Sequence, residues 1–173
     1  MADKKSEDLE YRCGFVALLG RPNVGKSSLI NTLLKEKVAA VSSKPQTTRN
    51  AIRCILTTEK EQIIFVDTPG IHKPKNVLGD YMVNEAGKAL AQVDLICFVV
   101  EAGDSHIGEE EELIIEILSK CGLPIVLAVN KVDKLSDPGF FWKTVEMYET
   151  RIMPAAVVPI SAKKGTNMDV FID

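Results

Sequence analysis

The run Gly20-Arg21-Pro22-Asn23-Val24-Gly25-Lys26-Ser27 has the spacing G-x-x-x-x-G-K-[ST]. Residues of these types in this order suit one task, the grip of a phosphate chain. Gly20 and Gly25 permit backbone conformations that turn successive N–H groups inward around an anion. A helix that opens here adds the positive end of its dipole. Lys26 can reach the terminal phosphates, and the Ser27 hydroxyl can ligate Mg²⁺. Ser28 follows in the first turn and is counted among the nucleotide contacts. A dinucleotide turn fits poorly, because G-x-G-x-x-G is absent. The motif implies a nucleoside triphosphate site.

Three more groups share that chemistry. Asp67-Thr68-Pro69-Gly70 places a carboxylate where it can hold Mg²⁺, usually through water. The Gly70 N–H can approach a terminal phosphate because no side chain intervenes. In Asn130-Lys131-Val132-Asp133, the Asp133 carboxylate can accept two hydrogen bonds from guanine, one from the ring N–H and one from the exocyclic amine. Adenine offers neither in that geometry, so an ATP site is disfavoured. The Lys131 stem can lie over the base face. In Ser161-Ala162-Lys163, a backbone N–H can meet the guanine oxygen. Each group alone is a plausible turn or solvated loop; their order along the chain is what carries meaning.

The elements that must position these residues follow from hydrophobic pattern. Residues 15–19 form a short apolar run, as in a strand buried on both faces. Leu29, Ile30, Leu33 and Leu34 give residues 27–35 a helical period. Residues 51–57 and 62–66 read as strands joined by a link short enough for an antiparallel hairpin. Residues 38–50 and 67–78 read as irregular, and residues 80–92 as a helix. Further strands are expected at 94–100, 124–129 and 156–160, and helices at 109–121 and 139–151. Another helix opens at Met168. The glutamates at the start of the 109–121 helix suit its dipole, which is reason enough for them. The expected fold is α/β, of P-loop NTPase type: a six-stranded, mostly parallel sheet with one antiparallel edge strand and helices on both faces. Every motif then lies just past a strand, where ligands bind in such sheets.

Composition narrows the function classes. A chain of 173 residues suits one domain. Residues 1–12 read as a polar tail and 13–173 as the nucleotide-binding domain. With 21 basic and 24 acidic residues, the net charge of −3 leaves no general basic field for a polyanion. Cys13, Cys54, Cys97 and Cys121 show no short-range pairing and read as reduced thiols of a cytosolic protein. His72 and His106 are too far apart in sequence to suggest a local metal motif. No apolar run approaches the ~20 residues of a membrane helix.

The four motifs together resemble the translation-factor-like GTPases. Lys44-Pro45-Gln46-Thr47-Thr48-Arg49 and Asp67-Thr68-Pro69-Gly70-Ile71-His72-Lys73-Pro74 resemble the Era family in particular. That resemblance implies binding and slow hydrolysis of GTP to GDP, with Thr48 as a switch threonine and Ser27, Thr48 and Asp67 around Mg²⁺. It implies Lys26, Thr48, Gly70 and Asn23 as the catalytic set. Asn23 is the candidate ligand for K⁺, as in some relatives. It implies 16S rRNA and the 30S subunit as partners, mainly through a C-terminal KH domain that this chain lacks. The chain is accordingly read as truncated in its last helix. A cytoplasmic location follows, with peripheral association at the inner membrane face. Ile71 stands where Ras-type enzymes keep the glutamine that orients water. Its presence keeps open a GTP-dependent binding module with negligible hydrolysis. A tRNA-modification or tandem-domain ribosome-assembly GTPase is the other alternative.

Overall fold

The computed structural model describes residues 11–36, 52–67, 90 and 92–173, with Ile52 and Asp67 by backbone alone. Six strands form one sheet in the order β2-β3-β1-β4-β5-β6. They are β1 (Arg12–Leu19), β2 (Ile52–Thr57), β3 (Glu61–Asp67), β4 (Leu95–Glu101), β5 (Ile125–Asn130) and β6 (Ala156–Pro159). Only the β2–β3 pair is antiparallel, with Ile55 opposite Ile64; every other pair is parallel. The expected class, strand count and hairpin are all present. Among the described residues the α-helices given in full are α1 (Lys26–Leu34), α2 (Glu109–Cys121), α3 (Gly139–Ile152) and the short α4 (Met168–Ile172).

Alternation along the strands explains why apolar runs rather than half-polar ones make this sheet. Ala17 and Leu19 of β1 face one side and Leu18 the other, because successive strand side chains point oppositely. Phe98 and Val100 of β4 join the first face, Cys97 and Val99 the second. The first face packs on Ile114 and Leu118 of α2 and on Val145 and Tyr148 of α3. The second packs on Leu29 and Ile30 of α1, with Met168 and Phe171 of α4 against it. Both faces are covered, so the central strands need apolar residues at every position. Cys97 is wholly buried, and that burial pushes its thiol pKa up, which leaves it inert.

Most element boundaries agree with the sequence reading to within a residue; three departures stand out. β1 opens at Arg12, inside the supposed tail, because its first residues pair with β3 (Arg12 with Glu61) before β4 joins at Val16. Ladder pairing rather than hydrophobicity orders those residues. Val132–Lys134 forms one turn of 3₁₀ helix within the supposed loop. Leu90 is helical and Gln92 lies in a turn, so a helix there stops before Gln92; the rest of the 80–92 expectation falls outside the described residues, as do the irregular segment 38–50 and most of 67–78.

Candidate nucleotide site

The phosphate loop leaves β1 at Gly20 and enters α1 at Gly25. Gly20 has φ 151° and Gly25 φ 109°, and a Cβ at either would collide with a neighbour: Val99 O for Gly20, Asn130 Nδ2 for Gly25. Asn23 has φ 64°, a left-handed conformation that asparagine tolerates. No side chain caps the start of α1 and no acidic residue lies in its first turn. The positive end of the helix is therefore shaped for an anion. Lys26 is buried beneath the loop, its Nζ donating to Gly20 O at 2.7 Å and Arg21 O at 3.0 Å. Pro22 and Ser27 are half-buried, as is Ser28, and Val24 is fully buried. The residues of the motif thus lie together in the turn and first helical turn between β1 and α1.

At the other end of the site, three loops are stitched by side chains. Asn130, 2% exposed at the end of β5, donates from Nδ2 to Val24 O at 2.7 Å and accepts the Ala162 N–H on Oδ1 at 2.9 Å. One amide thus joins the phosphate loop to the Ser161-Ala162-Lys163 loop. Sequence reading counted Asn130 among the nucleotide contacts without seeing this role. It also left a backbone N–H of that tripeptide for guanine; here the Ala162 N–H is spent on Asn130. The buried Ser161 hydroxyl donates to Asp133 Oδ1 at 2.6 Å, and this holds the Asp133 carboxyl below its usual range. Oδ1 is oriented from within the protein, while the residue stays exposed to a ligand. Lys163 is exposed on the same turn. Thr32 of α1 donates to Ala162 O at 2.6 Å, which anchors that turn to the helix behind the phosphate loop.

A charged network that sequence reading missed lies beside these loops. Arg21 leaves the phosphate loop and donates to Asp104 at 2.6 Å, Glu111 at 3.0 Å and Glu101 at 3.5 Å. Burial of the guanidinium works to lower its pKa, but Asp104 and Glu111 outweigh that and raise it. Glu111 is 2% exposed, and its second oxygen accepts the Gly108 N–H at 2.8 Å. The helix dipole alone does not account for its place at the start of α2: it is the buried partner of Arg21. Glu101 also receives Lys131 Nζ at 2.5 Å and Lys134 Nζ at 3.5 Å. No local signal could have found these partners, which lie 80 to 90 residues from Arg21. Thr48, Thr68, Pro69, Gly70, Ile71 and His72 fall outside the described residues, and Asp67 is placed by its backbone, at the end of β3.

The phosphate loop and Asp133 thus both lie just past the carboxyl ends of interior strands, β1 and β5. A 50S ribosome-binding GTPase domain matches residues 15–131. The chain belongs to that GTPase family. Within the family it is similar to GTPase Era. It is 49% identical over 162 residues to GTPase Era of Clostridioides difficile, covering 94% of this chain and 54% of that protein. It is 51% identical over 163 residues to GTPase Era of Caldanaerobacter subterraneus, with the same two coverages. A crystal structure of Era in complex with MgGDPNP and nucleotides 1506–1542 of 16S ribosomal RNA superposes with a TM-score of 0.83 at 36% identity. That superposition spans 94% of this chain and 55% of the other. An Aquifex aeolicus Era variant bound to GDP and AlF₄⁻ gives 0.80, also at 36% identity, over 92% and 55% of the two chains. The chain spans about half the length of the curated relatives it matches. The Era resemblance read from Pro45-Gln46-Thr47-Thr48-Arg49 and its neighbours is borne out. Among the described residues, no helix of this GTPase-family chain is long and apolar enough to cross a membrane.

Proposed function

We propose that this chain binds guanine nucleotide between the phosphate loop and Asp133 and hydrolyses GTP slowly, as a switch. The observation that carries this reading is the Asn130 amide, bonded at once to Val24 and Ala162, which sets a phosphate cradle and a base-reading carboxylate at a fixed separation. Lys26, held within the cradle by the Gly20 and Arg21 carbonyls, is the cation for the terminal phosphates. Asp133 accepts the two guanine donors, and Ser161 keeps it ionised and aimed. In hydrolysis, water attacks the terminal phosphorus, the bond to the β-phosphate oxygen breaks, and GDP and phosphate form.

The chain's residues fit Mg²⁺. Ser27, in the first turn of α1, would hold the ion through its hydroxyl, with Thr48 and Asp67 as further hard oxygen donors of the kind this ion prefers. When bound, the ion neutralises charge on the β- and γ-phosphates. Asn23, exposed in the phosphate loop with a left-handed backbone, is the proposed K⁺ ligand through its side-chain oxygen. The whole protein is proposed to act in the cytoplasm on 16S rRNA and the 30S subunit, through a KH domain beyond residue 173, with peripheral contact at the inner membrane face. The crystal structure of Era with a 16S fragment supports the RNA partner.

Ile71 has no group to polarise water, so unassisted turnover is expected at ~10⁻⁴ to 10⁻² s⁻¹. The experiment is single-turnover GTP hydrolysis by this chain in K⁺ and in Na⁺ at matched ionic strength, for wild type and Asn23→Ala. Faster turnover in K⁺ that disappears in the variant is expected. Tight GTP binding without detectable hydrolysis in either salt would leave a GTP-dependent binding module.

A further inference from the structure

Glu101 ends β4, and its carboxylate pairs with cations from both the phosphate loop and the Asn130–Asp133 loop. On one side is Arg21 of the phosphate loop at 3.5 Å; on the other is Lys131 of the base-reading loop at 2.5 Å, with Lys134 at 3.5 Å behind it. The Lys131 contact is much the shortest of the three, and both side chains are 21% exposed. Lys131 itself has φ 67°, a left-handed conformation at the mouth of the 3₁₀ turn. Its backbone is thus committed to one direction, and its ammonium is fixed by Glu101. The four-carbon stem between those two fixed ends is the part expected to lie over the base.

We propose that Glu101 is a positioning residue for guanine nucleotide. It tethers the Lys131 ammonium so that the stem is already extended along the base site before a nucleotide arrives. This rests on the reading that guanine binds beside Asp133. A free lysine would lose rotamer freedom on binding, and a lysine held in place beforehand loses less. Burial alone would raise the Glu101 pKa, but Lys131 first, then Lys134 and Arg21, outweigh it and hold the carboxyl below its usual range. The tether is therefore charged throughout the neutral range. Arg21 depends on Glu101 far less, since Asp104 at 2.6 Å and Glu111 at 3.0 Å hold it independently. The effect of Glu101 on the nucleotide must then run through Lys131.

A thermodynamic cycle on this chain tests the idea. The dissociation constant of a fluorescent GDP is measured for wild type, Glu101→Gln, Lys131→Met and the double variant, with a thermal melt of each. Lys131→Met keeps a stem of similar length and removes the charge that Glu101 holds. Each single variant is expected to weaken GDP by about five- to tenfold, mainly through faster release. The double variant should be no weaker than the weaker single one, because both remove the same tether. If Glu101→Gln melts with wild type and binds GDP equally well, the proposal is overturned. Losses that multiply in the double variant would also overturn it, since Glu101 would then act by another route. If wild type itself fails to bind GDP, the guanine reading fails instead, and the two failures are distinct.

Discussion

At the phosphate end of the site, shape resides in the backbone: Gly20, Asn23 and Gly25 all carry positive φ, and Lys26 is bonded to the loop's own carbonyls. At the base end, shape resides in side chains that cross from one loop to another, Asn130 to Val24 and Ala162, and Ser161 to Asp133. The contrast separates what each end tolerates. A backbone-built loop has no spare room, so a single added carbon disrupts it. A side-chain-built pocket loses function in steps, one hydrogen bond at a time. Asn130 belongs to both, and is the point where damage at one end reaches the other.

The sharpest way to break this comparison is Gly25→Ala. A methyl there requires φ 109° of a non-glycine residue and runs into the Asn130 amide. Strain costs roughly 1–3 kcal/mol, and a buried bond left unmade about as much again. GDP affinity should fall by about a hundredfold or more, with a lower melting temperature, by calorimetric titration and thermal melt. Binding within threefold of wild type would mean the loop's backbone is not what shapes that end. Asp133→Asn should be milder and selective. Loss of charged hydrogen bonds worth roughly 1.5–3 kcal/mol weakens GTP about tenfold or more. Xanthosine triphosphate, with an oxygen where guanine has its amine, should gain relative to GTP. Competition binding with both nucleotides reads the switch, and equal losses for both would remove Asp133 from base recognition.

Ser161→Ala should have the smallest effect at neutral pH, about threefold on GDP, for one neutral donor lost. Its signature lies in acid. The Ser161 hydroxyl holds the Asp133 pKa down, so wild type keeps the carboxylate, and hence guanine, as pH falls through the ordinary carboxylate range. In the variant that pKa rises, and GDP affinity should begin to fall at a higher pH than in wild type. Superimposable pH profiles would show that Ser161 orients nothing.

The sequence made the phosphate end legible because its determinants are contiguous: eight residues at fixed spacing, flanked by an apolar strand and an amphipathic helix. Asp133 was legible by the same token. What stayed hidden were contacts made by topology. Glu101, Asp104 and Glu111 meet Arg21 only because β4 lies next to β1 and α2 follows it. The four glutamates of α2 look alike in sequence, yet Glu111 is buried and Glu110 is not, since one helix face turns to the sheet. The early start of β1 was hidden for a related reason: Arg12 and Cys13 are ordered by ladder bonds to β3, which do not depend on side-chain type.

The bond from Asn130 to Val24 spans 106 residues, and the one from Ala162 back to Asn130 spans 32 more. On a ribosome adding roughly 5–20 residues per second, the phosphate loop therefore emerges some ~5–20 s before the amide that braces it. A nucleotide stabilises only the chain that can bind it. On the proposed reading, guanine nucleotide would contribute nothing to the early steps of folding and would act as a clamp only once residue 162 is in place. Cellular GTP and GDP would act on the finished domain as a last fastening, and a nascent chain stalled before Ser161 should gain no protease resistance from either.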